Sequence, residues 1–335
     1  MRKLINRPED FVEEVIDGII LAYGDRLRLL NGDSRIILRN PPARPGKVAI
    51  VTGGGSGHLP VFLGYVGKGL LDGCAVGNVF ASPSSQKMFE MIKAVNSGTG
   101  VLCLYGNYGG DNLNFDMACE MAEFEDIKTR TVRVRDDVAS SPPELAEKRR
   151  GVAGMVYAFK VAGAAAETGL DLEGVAGVAK KALDNIRSMG VALSPCVVPQ
   201  VGKPTFTINE NEIEIGMGIH GEPGIEVRPM MSADEVARVI FDRISAELEL
   251  SAGTEVSVMV NGLGATPLEE LLIVYRAVAK LLAARGVSVF MPHIGEFATS
   301  MEMAGLSVTV FRLDEELKHY LRAPASTPFY TSENK

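Results

Sequence analysis

Short apolar runs of strand length alternate with longer stretches of helical periodicity, the pattern of an α/β protein. Residues 11–21 place Val12, Val15, Ile16 and Ile19 on one helical face. The apolar run 48–51 leads into Gly53-Gly54-Gly55, and the run 101–105 leads into Gly106-Asn107-Tyr108-Gly109-Gly110-Asp111. Each predicts a buried strand that empties into a glycine turn. Helical periodicity follows over 113–124, strand alternation over 129–134, and two Ala-rich helical stretches over 145–167 and 172–189. Then the character changes. Residues 191–198 are apolar, Gly202-Lys203-Pro204 marks a turn, and 213–220 alternate at period two as far as His220. A helical pattern over 233–248 and a strand pattern over 256–260 are joined by the polar link 251–254. The change near residue 190 divides the chain into two expected domains, 1–190 and 191–335.

Length supports that division, because 335 residues exceed the usual size of one hydrophobic core. At 46% hydrophobic and 23% charged residues, the composition is that of an ordinary globular protein. No apolar run reaches the roughly 18 residues of a membrane-spanning helix, and residues 1–11 lack the apolar core of a secretory signal. A cytoplasmic location is expected. The net charge of −8 argues against nucleic acid or an anionic membrane as partner. Cys74, Cys103, Cys119 and Cys196 are scattered, mostly in apolar contexts, and predict free thiols rather than a metal site or disulfides. Histidine is scarce, with only His58, His220, His293 and His319. These are the side chains that titrate near neutrality when unperturbed.

Four segments have the setting of a site. Gly53-Gly54-Gly55-Ser56-Gly57-His58 follows a strand, where glycines let backbone amides approach a ligand. The run 48–57 also looks like the dinucleotide loop of short-chain dehydrogenases. That loop requires a following helix with a further glycine, whereas His58-Leu59-Pro60 comes next. Its Tyr-xxx-Lys pair is also missing, since Tyr157 and Lys160 stand one residue too close. Asp111 follows another strand and serves either as a site carboxylate in the crevice at strand carboxyl ends or as a plain helix N-cap. His220 lies between a strand pattern and Gly221-Glu222-Pro223-Gly224, poised on a turn. Asn261-Gly262-Leu263-Gly264-Ala265-Thr266-Pro267 reads as a structural turn, with Thr266 capping a helix and Pro267 at its first position.

Taken together, these segments resemble the K subunit of dihydroxyacetone kinase over essentially the whole chain. The matching strings are GGGSGH at 53–58, YVGKGLLDG at 65–73, FASPS at 80–84 and GNYGGDNLNF at 106–115. They continue with RRGVAG at 149–154, GKPTF at 202–206, GIHGEPGIEVRP at 218–229 and VNGLGATPLEEL at 260–271. The resemblance implies two α/β domains with mixed sheets flanked by helices, a homodimer, and a ketose held near the domain boundary. It assigns His220 to the histidine that adds to the substrate carbonyl as a hemiaminal. It assigns His58 and Asp111 to the acid–base pair at the hydroxyl that receives the phosphoryl group. The stretch from Gly55 through Ser56 and Gly57 to His58 matches the loop that contacts the sugar, and Gly106 adjoins the same pocket.

Covalent capture agrees with substrate size. Dihydroxyacetone has about six heavy atoms, and even the best small ligands gain only about 1.5 kcal/mol per atom. The sequence contains no GxxxxGK[ST] string. In this family the nucleotide, ADP or ATP with magnesium, sits on a separate all-α L subunit or on a fused C-terminal domain. The chain is therefore expected to bind no cofactor or metal itself and to need an L-type partner. The phosphoryl donor would be ATP or a protein of the phosphotransferase system. Two positions depart from the family pattern: Gly106 where dihydroxyacetone-specific members carry lysine, and Leu59 where glutamate is commoner. Both open the possibility of a longer acceptor such as erythrulose, a tetrulose. A ketose-sensing co-activator of a transcription regulator is the alternative of another class.

Overall fold

The computed structural model describes residues 3–333. The chain forms two compact units, each discontinuous in sequence: Met1–Val134, Val156–Ala182 and Leu317–Lys335 in one, Arg135–Met155 and Leu183–Glu316 in the other. A single cut at residue 190 does not describe this division. Residues 135–155 and 183–190 belong with the second unit, and residues from 317 onward return to the first.

The first unit begins with α1 (Phe11–Tyr23), which buries Val12, Ile16 and Ile19 as the periodicity predicts. A hairpin of β1 (Leu27–Leu30) and β2 (Asp33–Arg39) precedes β3 (Ala49–Ser56) and β4 (Gly73–Val79). Next come α2 (Ser85–Val95), β5 (Val101–Gly106), α3 (Gly109–Glu123) and β6 (Thr129–Val134), then α4 (Met155–Glu167) and α5 (Leu172–Asp184). The sheet runs β1-β2-β4-β3-β5-β6. The β1–β2 and β2–β4 pairs are antiparallel, whereas β3 is parallel to β4 and β5, and β5 to β6. The carboxyl ends of β3 to β6 therefore share one edge. On one face Ala49, Val51, Cys103 and Tyr105 pack against Met88 and Met91 of α2 and Phe115 and Ala118 of α3. Leu102 and Leu104 on the other face are equally buried, as expected of parallel strands covered on both sides.

The second unit contains β7 (Ile186–Ser194), β8 (Glu212–Ile215), β9 (Glu226–Pro229), α6 (Ala233–Ser245) and β10 (Glu255–Gly262). These are followed by α7 (Leu268–Ala284), β11 (Ser288–Val289), β12 (His293–Gly295) and β13 (Ala304–Leu313). The sheet order is β11-β10-β13-β7-β8-β9, with β12 also on β10. Val236, Ile240 and Ile244 of α6 and Val274, Val278 and Leu282 of α7 cover Val256, Val258 and Val260 of β10 and Val308 and Val310 of β13. A capping box between Ser232 and Glu235 starts α6.

Two expected helices shrink. The stretch 145–154 is mainly a short 3-10 turn and loop, and α4 begins only at Met155. The stretch 186–189 is strand rather than helix, because β7 lies between β13 and β8. The turn at 261–267 is structural, but not by capping. Asn261 accepts from the amides of Phe297 and Ala298 at 2.8 Å each and donates to the Ala298 carbonyl. Thr266 Oγ1 donates to the Gly305 carbonyl and accepts from its amide, while Pro267 takes the N-cap position of α7.

The chain closes with α8 (Glu315–Arg322), β14 (Ala325–Ser326) and β15 (Thr331–Ser332). Within the first unit, the amide of Ser326 donates to Lys68 O, and Thr327 Oγ1 donates to Gly64 O. All four cysteines are free; Cys74, Cys103 and Cys196 are buried and Cys119 is half-buried.

Candidate functional site

In the first unit, β3 does not stop before the glycines but continues through them to Ser56. Space explains the composition. A Cβ on Gly54 would lie 2.1 Å from the Phe62 ring, and one on Gly55 would lie 2.6 Å from the Ala81 amide nitrogen. On β4, a Cβ at Gly77 would fall 1.8 Å from the Ala81 carbonyl oxygen. The missing side chains let residues 80–83 lie directly on the ends of both strands. Ser56 Oγ donates to Gly77 O at 2.7 Å, and the Phe80 amide donates to Ser56 O at 3.1 Å.

Gly57, at φ +95°, then turns the chain into His58, which is completely buried. The Phe80 ring stacks on the imidazole at 4.7 Å, and Phe62 meets it edge-on at 6.1 Å. Phe80 itself sits at φ +56°, a left-handed conformation that bulky residues rarely adopt and that tends to occur at functional positions.

Gly106 is the buried last residue of β5, opposite Val134. Helix α3 starts at Gly109 with Tyr108 in the N-cap position, so Asp111 is not a cap. It stands in the first turn, 7% exposed, where the positive end of the helix dipole favours a carboxylate. Asn114, one turn on, donates to Ser82 Oγ at 3.1 Å and to Pro83 O at 2.9 Å. Segment 80–83 thus joins the His58 turn to the start of α3. Gly55, Ser56, Gly57, His58, Gly106 and Asp111 all lie at the carboxyl edge of the parallel strands, where ligands of open α/β sheets bind. Phe62, Phe80, Ser82 and Asn114 belong to the same locality. The string FASPS was visible in the sequence, but nothing in its side chains announced a role.

His220 belongs to the second unit. Strand β8 ends at Ile215, and Gly216 at φ +84° and Gly221 at φ +86° shape a turn where continued strand was expected. His220 is half-buried on that turn. Its Nδ1 is 2.8 Å from Glu222 Oε1, and its amide donates to Glu222 Oε2 at 3.0 Å. Burial opposes the charge of Glu222, yet the hydrogen bond and charge of His220, with Arg150 beyond, hold this carboxyl down at about 2. A carboxylate can only accept, so Nδ1 carries the proton, and whenever the ring is neutral its lone pair falls on Nε2. Arg150 is in turn held by Asp137, which burial pushes up to about 6 against the pull of that guanidinium. The segment 202–206 buttresses the turn: a Cβ at Gly221 would meet the Thr205 side chain at 3.0 Å and Phe206 at 3.4 Å. Among the described residues, no group of three His, Cys, Asp or Glu side chains is placed to hold a metal ion. Nor is any described helix long and apolar enough to cross a membrane.

These features define an α/β protein in which a glycine-shaped turn presents a histidine in each of two units. The chain belongs to the Dak1 family: the Dak1 domain profile matches residues 17–329. It is 46% identical to the dihydroxyacetone-binding subunit DhaK of PTS-dependent dihydroxyacetone kinase 2 from Listeria innocua serovar 6a, over 98% of this chain and 99% of that protein. It is 45% identical to the L-erythrulose kinase of Pectobacterium atrosepticum, over 98% of this chain but 56% of that protein. The solved structure of the dihydroxyacetone kinase operon co-activator Dha-DhaQ superposes with a TM-score of 0.90 at 33% identity, covering 96% of this chain and 98% of the other.

Proposed function

We propose that this chain is the substrate-binding subunit of a ketose kinase, capturing dihydroxyacetone covalently on His220 for phosphorylation by a separate nucleotide-bearing L subunit. The observation that carries the reading is the His220–Glu222 pair, which fixes the tautomer a nucleophilic imidazole needs. Nε2 adds to the carbonyl carbon, a C–N bond forms, and the C=O π pair moves to oxygen. The ring gains positive charge, which Glu222 balances. Loss of the Nδ1 proton and gain of one proton by the alkoxide leave a neutral hemiaminal. Glycerol has no carbonyl and cannot follow this path. His58 and Asp111 act on the hydroxyl that receives the phosphoryl group, as a positioned acid–base pair. The L subunit carries ADP or ATP with magnesium, the donor being a phosphotransferase-system protein or ATP, and the K-type chain acts as a homodimer.

Carbonyl-labelled dihydroxyacetone tests the reading by 13C NMR. Wild-type protein should convert the carbonyl resonance to that of a tetrahedral carbon, and His220→Ala should not. An unchanged carbonyl signal at saturating wild-type protein would sink covalent capture.

Gly106 favours a second reading of the acceptor. At the end of β5 it presents no side chain beside the proposed pocket, which leaves room for a tetrulose. Relative kcat/KM for erythrulose and dihydroxyacetone in the reconstituted kinase decides between them. Absence of phosphorylated product with any L subunit would point instead to a ketose-sensing co-activator.

A further inference from the structure

The string RRGVAG at 149–154 contributes two adjacent arginines with different surroundings. Arg149 is fully buried and makes a bidentate pair with Glu247 at 2.6 and 2.7 Å. Arg150 points to the His220 turn. Its Nε and Nη2 lie 3.0 and 2.8 Å from Asp137 Oδ2, and Nη2 donates to Gly216 O at 3.2 Å. Its Nη1 is 3.8 Å from Glu222 Oε2, the same oxygen that accepts the His220 amide. Gly218 makes room for this meeting: a Cβ there would lie 2.2 Å from Glu222 Oε2 and 2.4 Å from Arg150 Nη1.

We infer that Arg150, anchored by Asp137, is a positioning residue that keeps Glu222 aimed at His220, and so sets the Nδ1-protonated tautomer with its lone pair on Nε2. The inference rests on the proposed role of His220 as the carbonyl-capturing nucleophile, but the tautomer exists without substrate. Arg150 touches no reacting atom. Its work is electrostatic and geometric. Asp137 fixes the guanidinium, and the guanidinium, beside Glu222 Oε2, keeps that carboxylate turned so that Oε1 stays on Nδ1. A carboxylate that swings away releases Nδ1, and the ring can settle in the other tautomer, with Nε2 protonated and unable to attack.

The experiment has two readouts. In ketose-free protein, 15N NMR of the His220 ring should show a protonated Nδ1 and a bare Nε2. Arg150→Gln and Gly218→Ala, the latter prising the pair apart with both charges kept, should each mix the tautomers. Both should weaken hemiaminal formation about tenfold, the loss expected when the attacking tautomer falls to about a tenth of the rings. Arg150→Lys should recover part of the wild-type pattern, and Arg149→Lys should alter stability without altering the ring spectrum. A wild-type tautomer and adduct constant in folded Arg150→Gln would overturn the inference. Should that variant not fold, the same result in Gly218→Ala would overturn it. A wild-type protein that forms no ketose adduct would bring down the functional reading alone, since the ring spectra still report on Arg150.

Discussion

Lys160 is a residue whose chemistry the fold suppresses. It is 1% exposed on α4, and its ammonium donates to Tyr320 O at 2.7 Å. Burial pulls its pKa from 10.5 down to about 7. Because the folded value lies below the unfolded one, the unfolded chain binds more protons between pH 7 and 10.5, and stability rises with pH across that window. The penalty is fully present below pH 7. One unit is about 1.4 kcal/mol, and the lost hydrogen bond to Tyr320 returns about 1 kcal/mol. Lys160→Met should therefore stabilise the protein by a few kcal/mol near pH 7. Urea unfolding at pH 7 and pH 10 checks this: the wild type should gain on the variant as pH rises. A constant difference between the two proteins would contradict the burial argument. In the sequence, Lys160 drew notice only as a misplaced dehydrogenase lysine, because its burial depends on α8 returning from the far end of the chain.

At the scale of elements, the glycines of β3 and β4 show what a sequence pattern conveys and what it hides. The run 53–57 announced close approach, and close approach is what Gly54 and Gly55 permit. The partner was not legible, since residues 80–83 reach β3 only through the pairing of β3 with β4. Gly77 illustrates the cost. Its Cβ would strike a backbone carbonyl oxygen rather than a side chain that can rotate away. Gly77→Ala should displace residues 80–83 and destabilise the protein by about 1–3 kcal/mol, as overpacking does. It should also weaken ketose phosphorylation, because Phe80 would leave His58. Gly18→Ala has open space around its Cβ and should do neither. Chemical unfolding and kinase assays on both variants make the comparison. The same dependence on remote partners explains the misread helices. Residues 186–189 carry strand only because β13 pairs with them, and residues 149–154 are held by Asp136, Asp137 and Glu247 rather than by helical bonds. His58, Asp111 and His220 could be nominated from the sequence because motif and residue chemistry coincide at each; the structure buries the first two at the carboxyl edge of one sheet and sets the third on a turn. Glu222 lay in plain view within GIHGEPG, yet only the turn at Gly221 shows it folded back onto the histidine.

At the scale of the whole molecule, the two units interleave along the chain, so residues 135–155 must be tied into a unit whose remaining residues begin at 183. The tie is polar. Asp136, buried and pushed up by that burial, accepts from the amides of Val152 and Gly154 at 2.9 and 2.8 Å. Arg149 meets Glu247 just beyond α6, and Arg187 of β7 also reaches that carboxylate at 3.3 Å. Removing one member of a buried pair costs about 3–5 kcal/mol, because the other charge stays behind. Arg187 remains to serve Glu247, so Arg149→Ala should fall at the lower end, about 3 kcal/mol. The loss belongs to the second unit. Fluorescent reporters placed separately in the two units should show the second unfolding at lower urea in the variant, with the first unit's transition shifted less. Glu247→Gln should be milder, since it removes a charge yet keeps an acceptor for the guanidinium. Equal losses in both variants, or an unchanged midpoint in Arg149→Ala, would mean that apolar packing of α6 and α7 alone holds the inserted segment in place.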